Sequence, residues 1–180
     1  MSSSEAKSKT IEIGSTNLVF SRVSIPAGLV IDSVEVEAGS VKVNSKSGRL
    51  SLVQPAQLKA QVSSDDLCNF LAIKLPIKLN NLELDISGGK IRLKGALKMV
   101  VSLQANVECE LLIHNGDKLS VQLVSVDVQG VGAKSLLQNT LDQINPVFEL
   151  SDLPVKGVIT EIECENGKVT VRGELTEIFG

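Results

Sequence analysis

From Leu97 to Ile113 the chain alternates: Leu97, Met99, Val101, Leu103, Ala105, Val107, Cys109, Leu111 and Ile113 are apolar, and most residues between them are polar. Val100 and Leu112 are the exceptions. A period of two sends every odd side chain to one face of a strand. At ~3.3 Å per residue an unbroken strand here would extend roughly 55 Å, where about five or six residues are usual. Strands of that length twist, and a sheet built from them curls. The expected product is a concave apolar face that helices or a ligand must fill.

The chain has little bulk of its own for that purpose. Its 180 residues suffice for one domain with a core, yet it is 43% hydrophobic and only 2% aromatic, with no Trp and no Tyr. A Val, Leu and Ile surface is chemically uniform and suits hydrocarbon. Net charge is −3 and only four Phe are present, so the basic footprint and stacking platforms of a nucleic-acid binder are missing. Residues 1–10 read as a disordered polar tail ahead of a single domain at 11–178. No signal-peptide run opens the chain, and no apolar run is long enough to cross a membrane as a helix. The chain as written therefore reads as cytoplasmic, with an envelope or plastid location requiring a removed upstream segment. Cys68, Cys109 and Cys164 are odd in number and widely spaced, which fits buried reduced thiols.

Strands are expected at Ile11–Phe20, Leu29–Glu37, Val41–Asn44 and Leu50–Val62, punctuated by Gly- and Ser-containing turns. Ser63 and Asp66 fit a capping-box variant that opens a first helix carrying Leu67, Phe70 and Leu71 on one side. Gly88-Gly89 closes a hairpin that sets Ile86 against Ile91, Leu84 against Leu93, Asp85 against Arg92 and Glu83 against Lys94. A three-residue turn at Asn115-Gly116-Asp117 sets Ile113 against Leu119 and Leu111 against Val121. The apolar phase then slips by one, which predicts a β-bulge near 123–124. Gly132–Phe148 carries the stripe of an amphipathic helix: Ala133, Leu136, Leu137, Thr140, Leu141, Ile144 and Phe148, with Asn145-Pro146 ending or bending it. Asn166-Gly167 makes a last hairpin, with Cys164 against Val169 and Ile162 against Val171. The expected fold is α+β: a long, strongly curled antiparallel sheet wrapped around two amphipathic helices.

No arrangement of reactive groups supports catalysis. Gly130–Ser135 superficially resembles a phosphate loop, but Ala133 stands where the pattern requires Gly before Lys134, and Val128 where it requires the first Gly. His114 is the lone histidine and sits beside a turn with no thiol or carboxylate spaced to join it. Glu35/Glu37 and Glu161/Glu163/Glu165 read as a solvated strand face opposite Lys and Arg rather than a paired-acid site. No cofactor and no metal is called for. The stretch Ile73-Lys74-Leu75-Pro76-Ile77-Lys78-Leu79 admits two readings. Ile73, Leu75 and Ile77 would dip into a bilayer edge while Lys74 and Lys78 meet anionic headgroups, or the stretch is a plain helix end and linker.

Gln143-Ile144-Asn145-Pro146-Val147-Phe148-Glu149-Leu150, then Leu153-Pro154, then the Asn166-Gly167 hairpin closing at Val171-Arg172-Gly173 resemble the C-terminal part of the LmeA-like phospholipid-binding family. Ser64-Asp65-Asp66-Leu67 and Ser40-Val41-Lys42-Val43-Asn44 are similar to its cyanobacterial and plastid branch. The resemblance covers roughly residues 15–175. It implies a non-catalytic lipid-binding or carrier protein related to tubular lipid-binding folds, with no catalytic residues to carry over. The expected partner is a phospholipid or acyl chain, with peripheral membrane contact. Leu67, Phe70, Leu71, Leu97, Met99, Val101, Leu103, Leu136, Leu137, Leu141, Ile144 and Phe148 are then the candidate lining. The competing reading is a structural or protein-interaction domain whose helices complete a dry core.

Overall fold

A computed structural model describes residues 10–26, 28–47, 50–74, 79–98, 102–128, 133–153 and 155–178, with backbone alone at Leu79, Leu97, Lys98, Ser102, Leu103, Val128, Ala133, Lys134 and Leu136. Thirteen strands and two helices follow in the order β1 (Thr10–Ile13), β2 (Thr16–Ser24), β3 (Val30–Ala38), β4 (Val41–Asn44), β5 (Leu50–Leu52), β6 (Ala56–Ser63), α1 (Ser64–Lys74), β7 (Leu79–Ser87), β8 (Lys90–Lys98), β9 (Ser102–His114), β10 (Lys118–Val128), α2 (Ala133–Ile144), β11 (Phe148–Glu149), β12 (Val155–Glu165) and β13 (Lys168–Ile178) among the described residues. A 3-10 turn, Leu150–Asp152, stands between β11 and β12. The class is α+β and the pairing antiparallel, with one strongly curled half-barrel.

The strands form three sheets rather than one. A first five-stranded sheet has the order β12-β13-β6-β3-β2, a second β11-β10-β9-β8-β7, and a small one β1-β4-β5. The N-terminal strands are thus divided between two sheets, and the C-terminal hairpin returns to lie against β6 (Val171 opposite Ala60, Leu175 opposite Ala56). The small sheet covers one end of the first, where Val36, Ala38, Val41, Ala56, Leu58 and Leu175 pack as a buried cluster.

The single long strand does not exist. Leu97 pairs with Leu103 and Lys98 with Ser102, so the chain reverses between Lys98 and Ser102 and the alternating run is the end of β8 followed by β9. Paired residues in a hairpin share a face. When the two paired numbers are both odd, as 97 and 103 are, the odd-apolar pattern passes through the turn in phase and reads as one strand. Across Gly88-Gly89 the phase inverts instead, from Leu84 and Ile86 to Ile91 and Leu93, and the hairpin is visible.

The other registers stand as expected. Ile86 faces Ile91 and Asp85 faces Arg92, Ile113 faces Leu119 and Leu111 faces Val121, and Cys164 faces Val169 and Glu161 faces Arg172. The bulge falls between Leu123 and Ser125. Asn166 and Gly167 both have positive φ (53° and 73°), as a type I′ turn demands.

The two large sheets are stitched at their hairpin tips. Gly89 N–H donates to the Cys164 carbonyl (3.1 Å), Gly167 N–H to the Ile86 carbonyl (2.9 Å) and Ile159 N–H to the Gly116 carbonyl (2.6 Å). These bonds hold the inner faces of both sheets toward one interior.

Candidate functional site: an apolar cavity between two sheets and two helices

Both helices present their stripes to that interior. At the start of α1, Asp66 N–H donates to Ser63 Oγ (3.3 Å), the cap expected there, while Asp66 Oδ2 accepts from the Ser63 hydroxyl (3.0 Å) rather than from its backbone N–H as a full capping box would have it. Arg22 Nη1 donates to the same Asp66 oxygen (2.5 Å) and to Asp32 Oδ1 (3.0 Å), tying α1 to β2 and β3. The guanidinium, more than any other neighbour, holds the Asp66 carboxyl below its usual range. Leu67, Phe70 and Leu71, spaced i, i+3, i+4, then face inward, and Phe70 and Leu71 are buried.

α2 is anchored from its far end. Asn145 follows it directly, accepting from Val121 N–H at Oδ1 and donating from Nδ2 to the Val121 carbonyl, both at 2.8 Å. The side-chain amide thus imitates a strand neighbour for β10. Val147 N–H donates to the Leu119 carbonyl (2.9 Å), and β11 continues the pairing with Phe148 opposite Leu119. With its end pinned, α2 directs Leu137, Thr140, Leu141 and Ile144, one i, i+3, i+4, i+7 stripe, into the same space. Ser135, Gln138, Asn139, Asp142 and Gln143 are exposed on the opposite side.

Together the elements surround a cavity of ≈ 170 Å³. The first sheet contributes Ile31 and Val34 from β3, Leu58, Ala60 and Val62 from β6, Ile159 from β12, and Val169 and Val171 from β13. The second contributes Ile91 and Leu93 from β8, Val107, Cys109 and Leu111 from β9, and Leu119 and Val121 from β10. Phe148 of β11 adds to the second sheet's share, and Leu29, Val147, Leu150 and Leu153 complete the cavity from the connections. Every described lining residue except Thr140 is apolar.

Of the expected lining, Leu67, Phe70, Leu71, Leu137, Leu141, Ile144 and Phe148 meet at this cavity. Met99 and Val101 lie outside the described residues, as do the side chains of Leu97, Leu103 and Leu136. The described sheet-borne lining of β3, β6, β8, β9, β10, β12 and β13 was missed. Its signal was present in the alternation Ala56, Leu58, Ala60, Val62 and in Val169, Val171, but nothing local says which sheet faces which helix. Of the membrane-contact stretch, Ile73 and Lys74 end α1 and are exposed, Ile73 to 80% of its surface; Leu75, Ile77 and Lys78 lie outside the described residues.

The polar groups weighed as chemistry lie elsewhere. Glu35 pairs with Lys59 (3.5 Å), and Arg172 with Glu161 (3.4 Å) and Glu163 (3.5 Å), on strand positions whose side chains point away from the cavity-facing neighbours. On the second sheet Glu108 takes Lys90 (2.6 Å) and Arg92 (3.1 Å), and these cations, Lys90 first, hold its carboxyl below the usual range. His114 is exposed at the β9 turn. Gly130, Val131 and Gly132 of the glycine-flanked junction lie outside the described residues. Among the described residues no group of His, Cys, Asp and Glu could hold a metal. Burial pushes the Cys109 thiol up to about 12 and the Cys164 thiol up to about 11, so neither is a nucleophile at neutral pH.

No curated protein and no solved structure matches the chain. A family model for LmeA-like phospholipid-binding proteins matches residues 9–174, nearly the whole sequence. That is a lipid-binding family rather than a known enzyme family, and it agrees in kind with an interior walled by hydrocarbon. By this match the chain belongs to the LmeA-like phospholipid-binding family.

Proposed function

We propose that the protein binds phospholipid by holding an acyl chain, without catalysis, in the cavity between its two large sheets and two helices. The observation that carries this reading is the lining: apolar at every described position but Thr140. An apolar cavity of about 150 Å³ stays dry and takes an apolar guest. Each methylene moved into such a space contributes about 0.8 kcal/mol. Affinity therefore needs no aromatic or charged anchor, and selectivity along the tail is loose. The headgroup remains outside, where Lys74 and Lys78 are suited to an anionic phosphate while Ile73, Leu75 and Ile77 touch the bilayer edge. A carrier role follows if a chain can be surrendered to a second membrane.

Uptake of a fluorescent phospholipid by the folded protein, run beside flotation with neutral and anionic liposomes, tests this. Saturable uptake is expected, with weak salt dependence for neutral lipids and a stronger one for anionic lipids, whose headgroups the lysines meet. Native mass spectrometry of gently purified protein should show heterogeneous added mass of lipid size. A clean apoprotein that takes up no lipid of either charge would leave the dry-core domain as the better account.

A further inference from the structure

We infer that the cavity accommodates one acyl chain, and only about seven of its carbons, so that the ligand class is a single-chain amphiphile or a phospholipid with one chain inserted and the other outside. The inference rests on the acyl-chain reading above and adds number and length to it. Its basis is volume. A cavity of about 150 Å³ lined by Leu, Ile and Phe takes benzene, a guest of six carbons. At ≈ 170 Å³ the present cavity has room for about one carbon more. Two chains side by side, or a whole long chain, would need several times that space.

Ala60 sets part of this limit. It lies in the middle of β6, between Val34 on β3 and Val171 on β13, and all three line the cavity. Among the described lining side chains it is the smallest, so the space above it is space that a Leu would occupy. Ala60→Leu adds three carbons at that point and should shorten the admissible chain by about as many.

The experiment is a titration of the full chain with straight-chain fatty acids from about two to about sixteen carbons, each below its micelle concentration, read by displacement of a fluorescent fatty acid. Affinity should rise about fourfold per methylene up to about seven or eight carbons and then level, with one acid bound per protein. In Ala60→Leu the levelling should come about three carbons earlier. A rise that continues undiminished well beyond ten carbons, or two acids bound per protein, overturns the inference while leaving the acyl-chain reading intact. An unshifted plateau in folded Ala60→Leu overturns the part assigned to that residue. Should the variant not fold, the unmodified protein's series alone decides. Failure to bind any acid overturns both readings together.

Discussion

Asn145→Asp replaces one amide nitrogen with oxygen and leaves the shape of the side chain unchanged, yet it should loosen the end of α2. In the native protein the amide satisfies both backbone groups of Val121 at 2.8 Å, one by accepting and one by donating. At pH 7 the introduced carboxylate can still accept from the Val121 N–H, but its second oxygen faces the Val121 carbonyl with no proton between them. One hydrogen bond worth about 1 kcal/mol is lost, and a part-buried acceptor left unpaired costs about 1–3 kcal/mol more. The sum is about 2–4 kcal/mol, or about 5–15 °C in Tm for a chain of this size. The deficit carries a pH signature. Facing a carbonyl in a partly desolvated place, the introduced carboxyl has a folded-state pKa above the unfolded value of about 3.9. The protonated form can donate to the Val121 carbonyl, so stability is regained below the unfolded value and lost as pH rises through the folded one. The unmodified protein moves the other way. Asp66, Asp85 and Glu108 have lowered pKa values, so their ion pairs contribute above the usual carboxyl range and are lost as pH falls through the lowered values. The readout is therefore the difference in Tm between variant and parent at each pH, by circular dichroism. A gap that does not narrow between about pH 7 and pH 4, or no gap at neutral pH, would refute the two-point clamp.

Leu137→Ala, which removes a buried side chain that already borders a void, should cost about 2–3 kcal/mol, the lower part of the range for such truncations. Gln138→Ala on the exposed side loses only its bond to Asp142 and should cost under about 0.5 kcal/mol; equal melting temperatures would mean α2 is not docked as described. A Cβ on Gly157 would come within 2.2 Å of the Glu174 carbonyl oxygen, so Gly157→Ala should lower stability by about 1–3 kcal/mol or more in urea unfolding. Gly14, with nothing within 4 Å of the same added atom, should accept Ala with a change inside about 0.5 kcal/mol. In alkylation of the native protein at mildly alkaline pH followed by mass spectrometry, Cys68, the least buried thiol, should label first, and Cys109 and Cys164 should wait for unfolding. Rapid labelling of Cys109 would show that the cavity wall opens.

How legible each part was depended on how local its cause is. The hairpins at Gly88-Gly89, Asn115–Asp117 and Asn166-Gly167 were readable to the residue because turn chemistry, matched aliphatics and opposed charges all lie within a few positions of one another. The stripe of α2 from Leu137 to Ile144 and the Ser63 cap of α1 were readable for the same reason, whereas Phe148, expected at the end of that stripe, lies beyond the helix in β11 because the chain leaves the helix at Asn145. The division into sheets was not. Nothing near Ala60 announces that Val171 will lie beside it, because that pairing is decided by which apolar faces can be buried together across more than a hundred residues. The reversal before β9 hid for a different reason: Leu97 opposite Leu103 preserves the odd phase, so periodicity is blind to that turn by construction. The cavity inherited both difficulties. Its helical half was named from the sequence, whereas its sheet half depended on partners that only the assembled fold defines.

The position of β13 bears on when this interior can exist at all. β13 lies inside the first sheet, between β12 and β6, although it comes after every other strand among the described residues. While the chain emerges from the ribosome, β6 stands as an uncovered edge, and the wall that Val169 and Val171 supply is absent. The nascent β2-β3-β6 unit must therefore wait, with β6 unpaired on one side, through the synthesis of α1, the whole second sheet, α2 and β12. On the acyl-chain reading proposed above, a guest would be enclosed only once β13 is in place, and the interval before that is when uncovered β6 is most exposed to aggregation or to capture by a chaperone.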